Sequence, residues 1–257
     1  MRLEQTLIGL SIIIRKQIIR INRIWSQTFL PSAITLSLYF IIFGTLIGPR
    51  IGEMDGFSYM AFIVPGLIMM AIITNSYANV ASAFFGEKFG KSIEELLVSP
   101  IPTWAVIVGY VTGGVYRGLV IGVIVTLVSL FFTDLQFYNI FVVISTVLLT
   151  AVMFSLAGLL NAIYATKFDD VGIVPIFVLT PLTYLGGVFY SISLLPPVWQ
   201  IVSQANPILY MVNLFRYGFL GISDINIYFA YAMLFIFIGV FYALCYRLLE
   251  SGHGMRS

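Results

Sequence analysis

Long apolar stretches separated by short polar or proline-broken ones dominate the chain. Six stretches hold roughly 20 or more mainly apolar residues, the length an α-helix needs to cross a hydrocarbon core of about 30 Å. They are residues 29–48, 59–84, 103–132, 140–165, 172–190 and 227–247. None alternates polar and apolar positions as a barrel strand must, and in lipid the backbone has to satisfy its own hydrogen bonds. The pattern predicts an all-α, polytopic membrane protein with six transmembrane helices. It forms one transmembrane domain over residues 1–257: an N-terminal segment (1–28), a six-span bundle (29–247) and a polar tail (248–257).

Three segments outside the spans carry their own pattern. In residues 14–27, Ile14, Ile18, Ile21 and Trp25 recur at helical spacing, while Lys16, Arg20, Arg23 and Gln27 recur on another face. This predicts an amphipathic helix along the cytoplasmic interface, its basic face toward headgroups or a soluble partner. Between the second and third spans, Ser92 and Glu95 have the spacing of a capping box, with Glu94 and Glu95 in the first turn. Ile93, Leu96 and Leu97 make a small apolar face, and Pro100 and Pro102 stop the helix. A plain connector needs neither a cap nor two exposed acids, so the pattern favours a docking surface. Residues 191–224 are apolar yet broken by Pro196, Pro197 and Pro207. Segments 198–206 and 208–220 would make helices of about 13–20 Å, too short to cross, which points to re-entrant half-helices in the outer leaflet.

Composition removes most soluble alternatives. Charged residues make up 9% of the chain and hydrophobic ones 60%, against roughly 25% charged in a soluble domain. A net charge of +2 gives no basis for nucleic-acid binding. With both termini cytoplasmic, the inner segments hold Arg2, Arg15, Lys16, Arg20, Arg23, Lys88, Lys91, Lys167, Arg247 and Arg256. The outer ones hold Arg50 and Arg216, and the positive-inside rule therefore sets the orientation. Trp25 and Trp104 fall at the inner boundary and Trp199 at the outer one. The first residues lack a cleavable-signal pattern, so the N-terminus is expected to be retained.

No residues converge on catalysis. The run from Gly86 to Ser92 resembles a phosphate-binding loop, but Phe85 stands where its first glycine belongs and a membrane helix precedes it. Cys245 is the single cysteine, and no His, Cys or carboxylate cluster suggests a metal. The expectation is a non-enzyme, with no catalytic residue and no cofactor of its own. Arg117, fourteen residues into the third span, should face the bundle or a cavity, because a charge near midplane costs several kcal/mol. Asp169 and Asp170 read as a solvated turn, and His253 as an inert tail residue.

Two ordered motifs carry a resemblance. Gly90-Lys91-Ser92-Ile93-Glu94-Glu95-Leu96-Leu97-Val98-Ser99-Pro100 is similar to the first cytoplasmic loop of type-2 ATP-binding-cassette (ABC) exporter permeases. Pro181-Leu182-Thr183-Tyr184-Leu185-Gly186-Gly187-Val188-Phe189-Tyr190 follows, then Leu195-Pro196-Pro197, Asn206-Pro207 and Phe215-Arg216-Tyr217-Gly218. The likeness runs essentially end to end and resembles most the YadH-like inner-membrane permeases. It implies a homodimeric permease in the inner membrane, bound to two copies of a cytoplasmic ABC ATPase that carries the ATP and Mg. It also implies export of an amphiphilic or bulky substrate. Ser92, Ile93, Glu94, Glu95, Leu96 and Leu97 would form the coupling helix, with Lys16, Arg20 and Arg23 as further ATPase contacts. Arg117, Tyr184, Phe189, Tyr190 and Arg216 would line the path or its outer gate. The rival reading, an ion-driven secondary transporter, wants carboxylates or histidines in the spans; none of the eleven acids falls within a predicted span.

Overall fold

The computed structural model describes residues 3–252; Arg2, His253 and Arg256 lie outside them. Helix α1 covers Leu3–Arg23, α2 Trp25–Ile51, α3 Tyr59–Phe89, α4 Ser92–Val98 and α5 Thr103–Ser129. Helix α6 covers Ile140–Tyr164, α7 Phe168–Leu185, α8 Pro197–Gln204, α9 Pro207–Leu220 and α10 Ile227–Ser251. Among the described residues, the strands are one two-residue antiparallel hairpin, Glu53–Met54 with Phe57–Ser58. Helices α2, α3, α5, α6, α7 and α10 are long and apolar enough to cross a membrane. The helix starts are specified locally. Ser58 accepts the Ala61 N–H, and Asn139, Asn206 and Asn226 accept the first free N–H groups of α6, α9 and α10.

Helix α3 is the axis of the bundle. Of its most apolar window 83% is buried, against 11% for α2, α7 and α10. In lipid the helices gain little by hiding apolar side chains, so close approach has to come from small residues. Gly114 and Gly118 of α5 supply it: a Cβ there would fall on Ser155 and Ser76. On α6, a Cβ at Gly158 would fall on the Tyr77 carbonyl oxygen of α3. Two buried clusters result. One joins α3 to α6 and α9 (Phe62, Leu67, Phe154, Phe215), and the other gathers Ile13, Phe84, Ile107, Leu159 and Cys245 toward the C-terminal end of α3, the end that the positive-inside rule assigns inward.

Several sequence expectations shift. The amphipathic helix begins at Leu3 rather than near residue 14 and ends at Arg23; Trp25 and Gln27 already belong to the first turns of α2. It also does not simply skim the interface. Gly9 meets Ile101, Gly109 meets Ile13, Gly113 meets Gln17 and Tyr116 bonds Asn22, so α1 climbs along the inner half of α5. The fifth span starts at Phe168, not 172, and ends at Leu185. Asp169 and Asp170 therefore lie in its first turn; Asp170 accepts from the Thr166 and Lys167 N–H groups at 2.8 and 2.9 Å. Glu87, just beyond the expected second span, belongs to the last turns of α3.

The glycine contacts generate a paired test. Gly158→Ala has to push α6 off a backbone carbonyl and should destabilise the protein by about 1–3 kcal/mol. Gly86→Ala, in α3 with nothing within 4 Å, should be neutral or gain about 0.5–1 kcal/mol from helix propensity. Thermal unfolding in detergent separates them; equal effects would show that close approach does not set the packing.

Candidate functional site

The notable side chains gather at the two ends of α3. At the inner end, Gly90 and a left-handed Lys91 (φ 59°) turn the chain from α3 into α4. The expected capping box does not form. Lys91 is the N-cap residue, Ser92 is already helical, and its hydroxyl donates to the Glu87 carbonyl at 3.3 Å. The left-handed residue moves the start of the helix by one position. The acids keep their place: Glu94 and Glu95 are in the first turn and exposed. Ile93 is buried and packs into the inner cluster, Leu96 is half-buried against it, and Leu97 completes the helix backbone. Thus α4 has one side pinned to the bundle and its acids facing out.

Residues 86–89 are helical, so the glycine-lysine run forms no phosphate-cradling loop. Lys88 instead donates to the Ile163 and Ala165 carbonyls, both at 2.7 Å, and closes the C-terminus of α6. Beside it, Phe89 and Phe168 are exposed with ring centroids 4.7 Å apart. This aromatic pair was missed from the sequence; Phe85 and Phe89 at i, i+4 were its only local signal.

The three basic residues of α1 divide. Lys16 is exposed and pairs with Glu87 at 3.0 Å, and Tyr110 donates its hydroxyl to the same carboxylate at 2.6 Å. Arg20 turns inward, donating to the Asn79 carbonyl and side-chain oxygens at 3.1 and 2.8 Å. Burial lowers the Arg20 pKa and nearby Glu87 works against that shift. Arg23 stays exposed. Arg20 was expected on an outward basic face; its partner lies 59 residues away, beyond the reach of local periodicity.

At the outer end, α7 runs into the loop Gly186–Ser191, which is held by its carbonyls. Arg216 of α9 is buried, donates to the Gly187 carbonyl at 2.6 Å and lies 3.8 Å over the Phe62 ring. Asp55 and Asp224 share a polar cavity of about 400 Å³ with it and offset its charge. Tyr59 donates to the Phe189 carbonyl at 3.1 Å. Val188 packs against Gly66 of α3 where a Cβ would not fit, and Gly187 takes φ +71°, a conformation suited to glycine. Phe189 stacks on Tyr184 (5.8 Å) and contacts Phe43 and Tyr39 of α2. Tyr184 is exposed and Tyr190 half-buried. Tyr184, Phe189 and Arg216 are thus brought to one place, whereas Arg117 is elsewhere, its Nε donating to Asn75 at 3.2 Å near the middle of α3.

Among the described residues no group of His, Cys, Asp and Glu could hold a metal ion. What the arrangement offers is a long central helix with exposed acids and an exposed aromatic pair at one end and a tethered aromatic loop at the other.

Comparison with known proteins shows the family. The model of the ABC-2 type transporter family matches residues 9–220. The inner membrane transport permease YadH of Escherichia coli (strain K12) is 60% identical over 250 residues, covering 97% of this chain and 98% of that protein. Nodulation protein J of Rhizobium leguminosarum bv. viciae is 22% identical over 204 residues, 79% of each chain. Nodulation protein J of Neorhizobium galegae is 20% identical over 210 residues, 80% of each.

The Arg216 tether can be measured. Arg216→Met removes the cation–π contact and leaves the Gly187 carbonyl short of its donor, an expected cost of about 2–4 kcal/mol. Arg50→Gln, at the exposed end of α2, should stay within about 0.5 kcal/mol. Thermal melts that fall alike in both variants would contradict the tether.

Proposed function

We propose that this chain, which belongs to the ABC-2 type transporter family, is the membrane permease of an ATP-driven exporter. Two copies of the chain would pair, and two copies of a cytoplasmic ABC ATPase would dock on their inner rims. ATP and Mg belong to those partners, whose hydrolysis supplies the driving force. The observation that carries the reading is α4: a short helix with Ile93 anchored in the inner cluster and Glu94 and Glu95 exposed. The exposed Phe89–Phe168 pair extends that surface with apolar area suited to a protein contact.

Motion imposed on α4 reaches the bundle by two routes. Ile93 pushes on the cluster around Phe84 and Leu159, and the Gly90–Lys91 turn pulls on the end of α3. Lys16 and Glu87 tie α1 to the same end. Helices α2 and α7 leave most of their apolar surface uncovered, with Ile34, Leu38, Ile176 and Phe177 exposed. Their faces are the natural place for the second permease chain, with the path between the two copies. The Tyr184–Phe189–Phe43 aromatic group would close that path on the outside. Coupling requires the ATP-bound partner to bind one permease state more tightly than the other.

The membrane is the cell's inner membrane, as for the YadH relative, with both termini cytoplasmic; the ten-to-two distribution of basic residues supports this orientation. An amphiphilic or bulky substrate suits a path formed between apolar faces. Ion-driven transport finds less support. Among the described residues, the acids that fall within the span helices, Glu87, Asp169, Asp170 and Glu250, all sit in end turns rather than at midplane, and Lys16 and Tyr110 engage Glu87.

Reversing both acids, Glu94→Lys with Glu95→Lys, should abolish co-elution of the ATPase or uncouple its hydrolysis from transport, while the permease remains folded. Unchanged co-elution together with unchanged transport-stimulated hydrolysis would remove α4 from the coupling role.

A further inference from the structure

The contact between α1, α3 and α5 contains a polar cluster that the coupling scheme does not use. Lys16, Arg20 and Arg117 bring three cations, and Glu87 is the carboxylate that accompanies them among the described residues. That carboxylate is engaged by Lys16 and Tyr110. The guanidinium groups of Arg20 and Arg117 repel one another, and each is held by the neutral oxygen of an asparagine, Asn79 and Asn75. Around them, polar atoms are buried without partners: Arg20 Nε, Asn79 Nδ2 and both amide atoms of Gln17. Gln17 and Asn79 are each 1% exposed. Glycine at residue 113 lets α5 come onto this cluster; a Cβ there would lie 2.9 Å from Gln17 and 3.3 Å from the Asn79 amide nitrogen.

Excess positive charge and unspent donors inside an apolar bundle are costly unless a ligand uses them. A buried polar group left unpaired costs about 1–3 kcal/mol, and like charges add to that. Guanidinium forks and amide N–H groups are the donor set that suits a phosphate. The cluster also adjoins space for a tail. A groove of about 320 Å³ runs between α2 and α3, lined by Leu36, Tyr39, Met70 and Ala78, with Ser32 and Asn75 at its polar side. Asn75 joins the two parts, accepting from Arg117 and donating to Ser32 at 3.1 Å.

We infer that Arg20, Arg117, Gln17 and Asn79 form a binding site for the phosphate head of a membrane amphiphile whose apolar tail lies in the α2–α3 groove. The site is a property of the permease chain itself and goes beyond the transport reading, because its occupancy is measured without the ATPase. A free phosphate ion would share the head chemistry but gain nothing from the groove.

The test is binding of tail-labelled short-chain phosphatidic acid to the purified full-length chain in neutral detergent, beside the diacylglycerol with the same tails. Wild-type protein should prefer phosphatidic acid by about tenfold or more. Arg20→Gln and Arg117→Gln should each remove most of that preference, and Arg20→Lys and Arg117→Lys should keep part of it. Millimolar inorganic phosphate should not displace the lipid. Equal binding of the two lipids by the wild type, or full preference in the Arg20→Gln, Arg117→Gln double variant, overturns the site. Complete displacement by inorganic phosphate overturns the amphiphile assignment. If the glutamine variants fail to fold, the wild-type lipid comparison and the lysine variants decide.

Discussion

The close approach of α5 and α6 to α3 through glycine is the constraint on which the other features rest. Burial from water cannot hold helices together where lipid is already apolar, so contact has to come from dispersion and short polar links. Gly114, Gly118 and Gly158 let the backbones meet, and large side chains there would open the bundle. Once α3 is enclosed, its two ends become mechanically related. Thirty-one residues at 1.5 Å each make a rod of about 46 Å. Its inner end carries the turn into α4, and Gly66 near its outer end receives Val188 of the loop after α7.

The two ends differ in the way each is secured. The inner end is held by charge and aromatic packing at a surface open to a partner: Lys16 with Glu87, Lys88 on the α6 carbonyls, Phe89 with Phe168. The outer end is held by buried donors on backbone carbonyls: Arg216 on Gly187 and Tyr59 on Phe189. Charge-assisted bonds in a dry environment are strong and directional. Fixing a loop by its carbonyls leaves the side chains of Phe189 and Tyr190 available to contact what lies beyond. An inner surface with exposed acids and aromatics and an outer loop built around tethered aromatics suit the proposed device, driven from one side and gated on the other.

The spans were legible in the sequence because a bilayer imposes length and apolarity on each helix, whatever it packs against. All six emerged, with ends displaced by a few residues at α2, α3, α5, α7 and α10. The short helix Ser92–Val98 and the pair of proline-started helices before α10 were legible for a similar reason, since prolines and acids mark their limits. Orientation of side chains was not. Arg20 looks outward when its helix is read alone, and only the fold brings Asn79 to it. Arg216 was placed on a short outer half-helix, but its partners Gly187 and Phe62 lie far off in sequence and only the fold brings them to it. The spacing Gly109-x3-Gly113 and Gly114-x3-Gly118-x3-Gly122 was the overlooked signal for where α1 and α3 pack on α5. Hydropathy cannot register it, because glycine contributes space rather than apolar surface.

The central claim is that force applied at the inner rim reaches the outer loop through α3. Its most direct measurement is the distance between spin labels at Ser193 on the two permease chains of the assembled transporter in lipid, with and without ATP on the partner. The account predicts a shift on ATP binding that vanishes when Ile93, the anchor of α4, is replaced by alanine while the ATPase stays bound. An ATP-driven shift that persists in full with Ile93→Ala would contradict it.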